Sequence, residues 1–151
     1  MVTLTQQKVG WLVTRYVPAT YRPNPQGPVR VIETISETAL TRLANSLTRS
    51  DFLPGQVQGL CIDMNELLYR HHEAVCPWFE IYLSQQFRSR RHVIFALLHE
   101  IGHVDWHVQP ERRKRFQDDE RELYADFYAF DQLADRMGIR AALDTVVAFP
   151  S

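Results

Sequence analysis

Residues 90–107 read RRHVIFALLHEIGHVDWH, and the run LLHEIGH at 97–103 decides how the chain is to be read. Val93, Leu97, Ile101 and Val104 recur at helical spacing, and Ile94 and Leu98 widen the stripe. The pattern predicts one helix, from Arg90 or Arg91 to Trp106 or His107, buried along one side. Within it His99 and His103 stand four apart and share a face, so both imidazoles can reach one ion. Glu100 is turned about 100° from His99. That offset keeps it out of the ligand set but within reach of water at the metal, as a general base. Two ligands and one base on a short helical segment is the chemistry of H-E-x-x-H. Two ordinary histidines buried on this helix would need partners of their own, which favours the metal reading.

A third ligand is expected downstream. A second Gly and His at 106 and 109 would mark a metzincin, but Trp106 and Gln109 stand there. His107 lies eight residues after His99 on the same helix and drifts off the ligand face, which suits an outer or surface position. A last long helix is predicted over about 119–137, with Asp119 and Glu122 at capping-box spacing and Gly138 just past its end. On it Glu122 and Asp126 are four apart. A helix packed at about 8–10 Å can bring Glu122 to the ion, and Asp126 can hold a ligand histidine by its other nitrogen. Ala125 and Ala129 allow the close approach. Glu120 is the rival ligand, placed a little early for the same face. An exposed acid favoured by the helix dipole is the plain alternative for Glu122.

The motifs HEIGHVDWH (99–107) and ELYADFYA (122–129) together resemble the ImmA/IrrE family of gluzincin-type peptidases, whose pattern is H-E-x-G-H followed by E-x-x-A-[N/D]-x-F-A. Tyr128 stands in place of the usual Phe, and Tyr124 where an acid is common. The resemblance covers roughly 57–133. It implies a compact zincin-like domain, with the H-E-x-x-H helix packed on a C-terminal ligand helix. It also implies a strand beside the cleft that pairs with an extended substrate, for which WFEIYLSQ (78–85) is the candidate. The implied substrate is a helix-turn-helix repressor. The E-x-x-x-D pattern also occurs in HtpX-like membrane peptidases, but no spanning helix is present here. SprT-like DNA-associated proteases are a further relative.

The expected activity is that of a zinc metalloendopeptidase. Zn2+ held by His99, His103 and Glu122 leaves a fourth position for water and polarises the scissile carbonyl. Glu100 takes the proton and passes it to the leaving amine. Two imidazoles and a carboxylate suit zinc well, without excluding manganese. Tyr69, His71, His72 and Tyr124 are candidates for the oxyanion donor, and each has a structural role as its simpler reading. A zinc-containing protein-binding or regulatory module with little catalysis is the other reading, and retention of Glu100 argues against it.

The remaining sequence bounds these readings. The 151 residues suggest one continuous domain, 1–151, in which 1–35 could stand apart as an N-terminal arm or hairpin and 36–151 as the metallopeptidase domain. KVGWLVTRYV (8–17) is rich in β-formers, 18–28 is a Pro- and Gly-rich loop, and VRVIETI (29–35) alternates like a strand. A helix follows Ser36, then a strand at 57–64, the ambiguous ELLYRHH (66–72) and the strand at 78–85. A short helix closes the chain at 139–147. The class is α+β, with a small sheet in the N-terminal half. Apolar residues make up 45% and charged residues 23%, and the net charge is −1, so neither nucleic acid nor membrane is indicated as the main partner. Arg88, Arg90 and Arg91, and Arg112, Arg113, Lys114 and Arg115, form two basic clusters, read as a solvated face rather than a phosphate site. The expected partner is a protein or peptide. Cys61 and Cys76 form no C-x-x-C pair and read as free thiols. MVTLTQQKVGWLV lacks the basic start and long apolar run of a signal peptide, so a cytoplasmic location is expected.

Overall fold

The predicted metal helix forms, and the rest of the fold is arranged around it. In the computed structural model, which describes residues 1–69, 78–109, 111 and 117–148, Arg90–Val108 is a helix, α4. The Ser89 side chain caps it by accepting from His92 N. Thirteen of its nineteen residues are buried, among them Val93, Leu97, Ile101 and Val104. It is the central element of the core rather than a half-exposed surface helix.

The elements before it are β1 (Val2–Thr3), α1 (Gln6–Tyr16), β2 (Val29–Ile35), α2 (Glu37–Thr48), β3 (Gly59–Asp63), α3 (Met64–Tyr69), β4 (Phe79–Ser84) and β5 (Gln86–Phe87). After it come α5 (Arg121–Met137) and α6 (Ile139–Ala148). The α+β class expected from the sequence is the class observed, and every strand among the described residues precedes α4, the last two of them just past the chain's midpoint.

Residues 8–17 depart from the β-rich expectation, because they belong to α1. Val9, Leu12 and Val13 are buried at i, i+3 and i+4. The Thr5 side chain caps the helix by accepting from Lys8 N, and Pro18 follows its end. Burial of one stripe overrides the β propensity of the individual residues. No hairpin joins 8–17 to 29–35. Instead β2 runs parallel to β4, Ile32 opposite Ile81, and the three-stranded sheet has the order β2-β4-β3. β1 pairs separately with β5. Leu4, Val9, Leu12 and Val13 lie in the same hydrophobic cluster as Ile81, Leu83 and the buried face of α4.

Ser36 caps α2 as expected, accepting from Ala39 N, and Leu40 and Ala44 face the core. The stretch at 66–72 begins as helix α3, and its continuation from residue 70 lies outside the described residues. So do His71, His72, Cys76 and the basic run 112–115. No helix among the described residues is long and apolar enough to cross a membrane.

Candidate metal centre

Helices α4 and α5 pack along one another, and small residues set how closely. A Cβ on Gly102 would lie 2.8 Å from the Ala125 Cα and 3.1 Å from its carbonyl oxygen. Ala125 and Ala129 are fully buried. The contact at Gly102 sits between the two histidines of α4 and against the residue preceding Asp126. It thereby brings the first turns of α5 over His99 and His103.

The expected Asp119–Glu122 capping box does not form. Asp118–Glu120 is a single 3-10 turn, and the capping box runs between Gln117 and Glu120. Gln117 N donates to Glu120 Oε1 at 3.3 Å. The rival acid is therefore engaged at the cap, and Glu122, in the first turn of α5, is turned toward the histidines. Its Oε2 lies 3.0 Å from His99 Nε2 and its Oε1 3.1 Å from His103 Nε2. Asp126 Oδ1 lies 2.8 Å from His99 Nδ1. Both residues of the i, i+4 pair thus meet His99, one at each ring nitrogen.

Glu100 lies on the inner side. It is 5% exposed, and its Oε1 is 4.0 Å from His99 Nε2. Its Oε2 is buried without a hydrogen-bond partner among the described residues, which is costly for a carboxylate unless another group completes the site. Burial raises its carboxyl above the ordinary range, against the lowering influence of His99 and His103. β3 passes over it, since a Cβ on Gly59 would meet Glu100 Cγ at 3.1 Å.

His99, Glu100 and His103 each bring a ligand atom within 4.8 Å of the others, a cluster able to hold a metal ion. Within it the Glu100 oxygen stands 4.0 Å from His99 Nε2. Tetrahedral bonds of about 2.0–2.2 Å separate ligand atoms by about 3.3–3.5 Å. The Glu122 oxygens, at 3.0 and 3.1 Å from the imidazoles, need only a small outward movement to meet that spacing. The Glu100 oxygen lies beyond it. The donor set therefore fits a metal on His99, His103 and Glu122, with Glu100 beside it.

Without an ion, the acids act on His99 directly. Burial works to lower its pKa, but the bonds to Asp126 and Glu122 outweigh it and carry the imidazole up to about 10. Glu122 is held far below the usual carboxylate range by His103 and His99.

The cluster opens on a cleft of about 900 Å³ whose walls include β3, Phe52 from the loop after α2, and Phe95 of α4. WFEIYLSQ is not the strand that borders it with a free edge. β4 is the central strand, paired on both sides, and β3 is the edge strand at the cleft, which Phe79 of β4 also lines. Edge position depends on long-range pairing, which local β propensity does not encode. Tyr124 is not an oxyanion donor, because its hydroxyl is spent in the core on Asp105 Oδ2. Tyr21 donates to the other oxygen, Oδ1, at 2.5 Å. No local sequence pattern announces this buried Tyr21–Asp105–Tyr124 clamp. His107 reaches the cleft but stands apart from the cluster, 4.0 Å from Asp63 and 3.5 Å from Arg121.

Compared with known proteins, the chain matches no family model, no curated protein and no solved structure.

Proposed function

We propose that this protein is a zinc-dependent metalloendopeptidase. The observation that carries the reading is the Glu122 carboxylate set across the Nε2 atoms of His99 and His103, beside a buried, half-unpartnered Glu100. Zinc held there supplies Lewis acidity toward the scissile carbonyl and toward water. His99 is oriented by Asp126 at its far nitrogen, which fixes the tautomer that leaves Nε2 for the metal. Glu100 accepts a proton from the attacking water and returns it to the leaving amine. Its raised pKa suits a group that must do both.

The edge of β3 not paired with β4 runs beside Glu100 and suits a peptide lying extended across the cleft. A binding module would have no use for a carboxylate buried at this cost next to two imidazoles. The resemblance of the two helix motifs to ImmA/IrrE peptidases makes a helix-turn-helix repressor the first substrate to try.

Glu100→Gln is the direct test, read on such repressors and on a broad peptide library. The variant is expected to retain zinc and lose hydrolysis by about a hundredfold or more. Cleavage at the parent rate would remove Glu100 from its role. Loss of zinc as severe as in His99→Ala would place Glu100 among the ligands instead.

A further inference from the structure

At the opposite end of α4 from His103, its first turn meets α1 in a concentration of arginines. Arg15 and Arg90 both lie over the ring of Trp11, 5.3 and 4.6 Å from its centroid. Arg15 and Arg136 of α5 lie over Tyr16, each at 5.9 Å, and Arg136 donates to the Arg15 carbonyl at 3.0 Å. A recess of about 290 Å³ opens between Arg15, Tyr16, Arg136 and Met137. All three arginines are exposed. Among the described residues none of them is paired with a carboxylate.

The sequence shows how this arises. No acidic residue precedes Glu33, whereas Lys8, Arg15, Arg22 and Arg30 do, and Arg88, Arg90 and Arg91 fall in an acid-free stretch between Glu80 and Glu100. Packing α1 on α4 lays one acid-free basic segment beside the other. A chain of net charge −1 thus gathers three arginines at one place, with Asp135 of α5 the acid next in sequence to Arg136. Like charges held together repel, and a polyanion relieves that cost.

We propose that this face binds the phosphate backbone of double-stranded nucleic acid. Guanidinium forks match phosphate oxygens in pairs, and the rings of Trp11 and Tyr16 gather three of them in one place. Trp11 is half-exposed, but two guanidiniums, those of Arg15 and Arg90, already lie over its ring where a base would have to stack. That argues against a stacking platform for single strands and for sequence-independent phosphate contact. Arg90 precedes His99 by nine residues, about 14 Å along the helix axis. The inference does not rest on the peptidase reading.

The test is anisotropy of a short labelled DNA duplex titrated with the full chain. Binding at low salt is expected, with log K falling against log salt at a slope of about −2.7 for three phosphate contacts. Arg15→Gln/Arg90→Gln/Arg136→Gln should weaken it about tenfold or more, while Arg42→Gln/Arg49→Gln, on α2 and at its C-terminal end, should not. If the triple glutamine variant fails to fold, the triple lysine variant decides. It keeps the charge and loses the fork, so binding severalfold weaker supports the proposal and unchanged binding contradicts it. The proposal is also overturned by absence of duplex binding, by tighter binding of the single strand, or by equal binding to phosphatidylserine vesicles.

Discussion

Glu122 is an exposed side chain whose position, rather than its burial, gives it a role. Its two oxygens face one imidazole each, whereas Glu120 serves the cap at Gln117. Glu122→Ala should therefore reduce zinc affinity far more than Glu120→Ala, as measured by competition with a chromophoric chelator. Equal losses would return Glu120 to the ligand set. Asp126→Asn keeps the shape but weakens the hold on His99 Nδ1, and should cost about 10–100-fold in zinc affinity. His99 also predicts a proton count. Its metal-free pKa of about 10 lies above the ordinary value of about 6.5. The stability it contributes to the metal-free fold is thus fully present below about pH 6.5 and lost as pH rises through about 10. Zinc requires the neutral ring, so binding at neutral pH should release about one proton from His99. Glu122 is already ionised and adds none. Calorimetry in two buffers of different ionisation heat reads this number, and a value near zero would contradict the assigned hydrogen bonds.

At the scale of elements, the site depends on how closely α4 and α5 approach. Gly102→Ala would drive a methyl against the backbone of Ala125, which cannot turn aside as a side chain can. The expected cost is about 1–3 kcal/mol, seen as a fall of several degrees in Tm, together with weaker zinc binding because Glu122 is carried away from the histidines. A Gly102→Ala protein with parent Tm and zinc affinity would show that the crossing does not set the site. The alanines opposite are readable in the sequence from their register with Glu122. The demand on Gly102 is not, since it depends on which atoms of the second helix arrive there. The same distinction separates the other elements. α4 is legible because its apolar period holds within one segment, and α2 because period and the Ser36 cap agree. α1 is not, because its β-formers conceal a period that matters only once a core exists to face. The order β2-β4-β3, which makes β3 and not β4 the edge strand at the cleft, is set by pairing between distant segments.

Across the whole molecule, the N-terminal segment is part of the structure that holds the site. Tyr21 and Tyr124 grip the two oxygens of Asp105, two residues beyond His103, and so tie the turn after α1 to both α4 and α5. Tyr21→Phe removes a donor from a buried carboxylate. It should cost about 1–3 kcal/mol in denaturant unfolding with little change in the cleft itself, whereas unchanged stability would mean that the clamp carries no load. The spacing of His99, Glu100 and His103 along the chain is enough to announce a metal cluster, because one helix fixes all three. The sequence already favours Glu122 over Glu120 by register, whereas the cap that engages Glu120 lies at Gln117, two residues before the Asp119 that the sequence pattern suggests. The central claim is that α4 and α5 together complete one metal site, and a crystal structure of the zinc-loaded protein with anomalous scattering at the zinc edge tests it most directly. One ion is expected at about 2.0–2.2 Å from His99 Nε2, His103 Nε2 and a Glu122 oxygen, with Glu100 beside it and Glu120 still at its cap. An ion completed by Glu120 or His107, or no ion between the two helices, would contradict it.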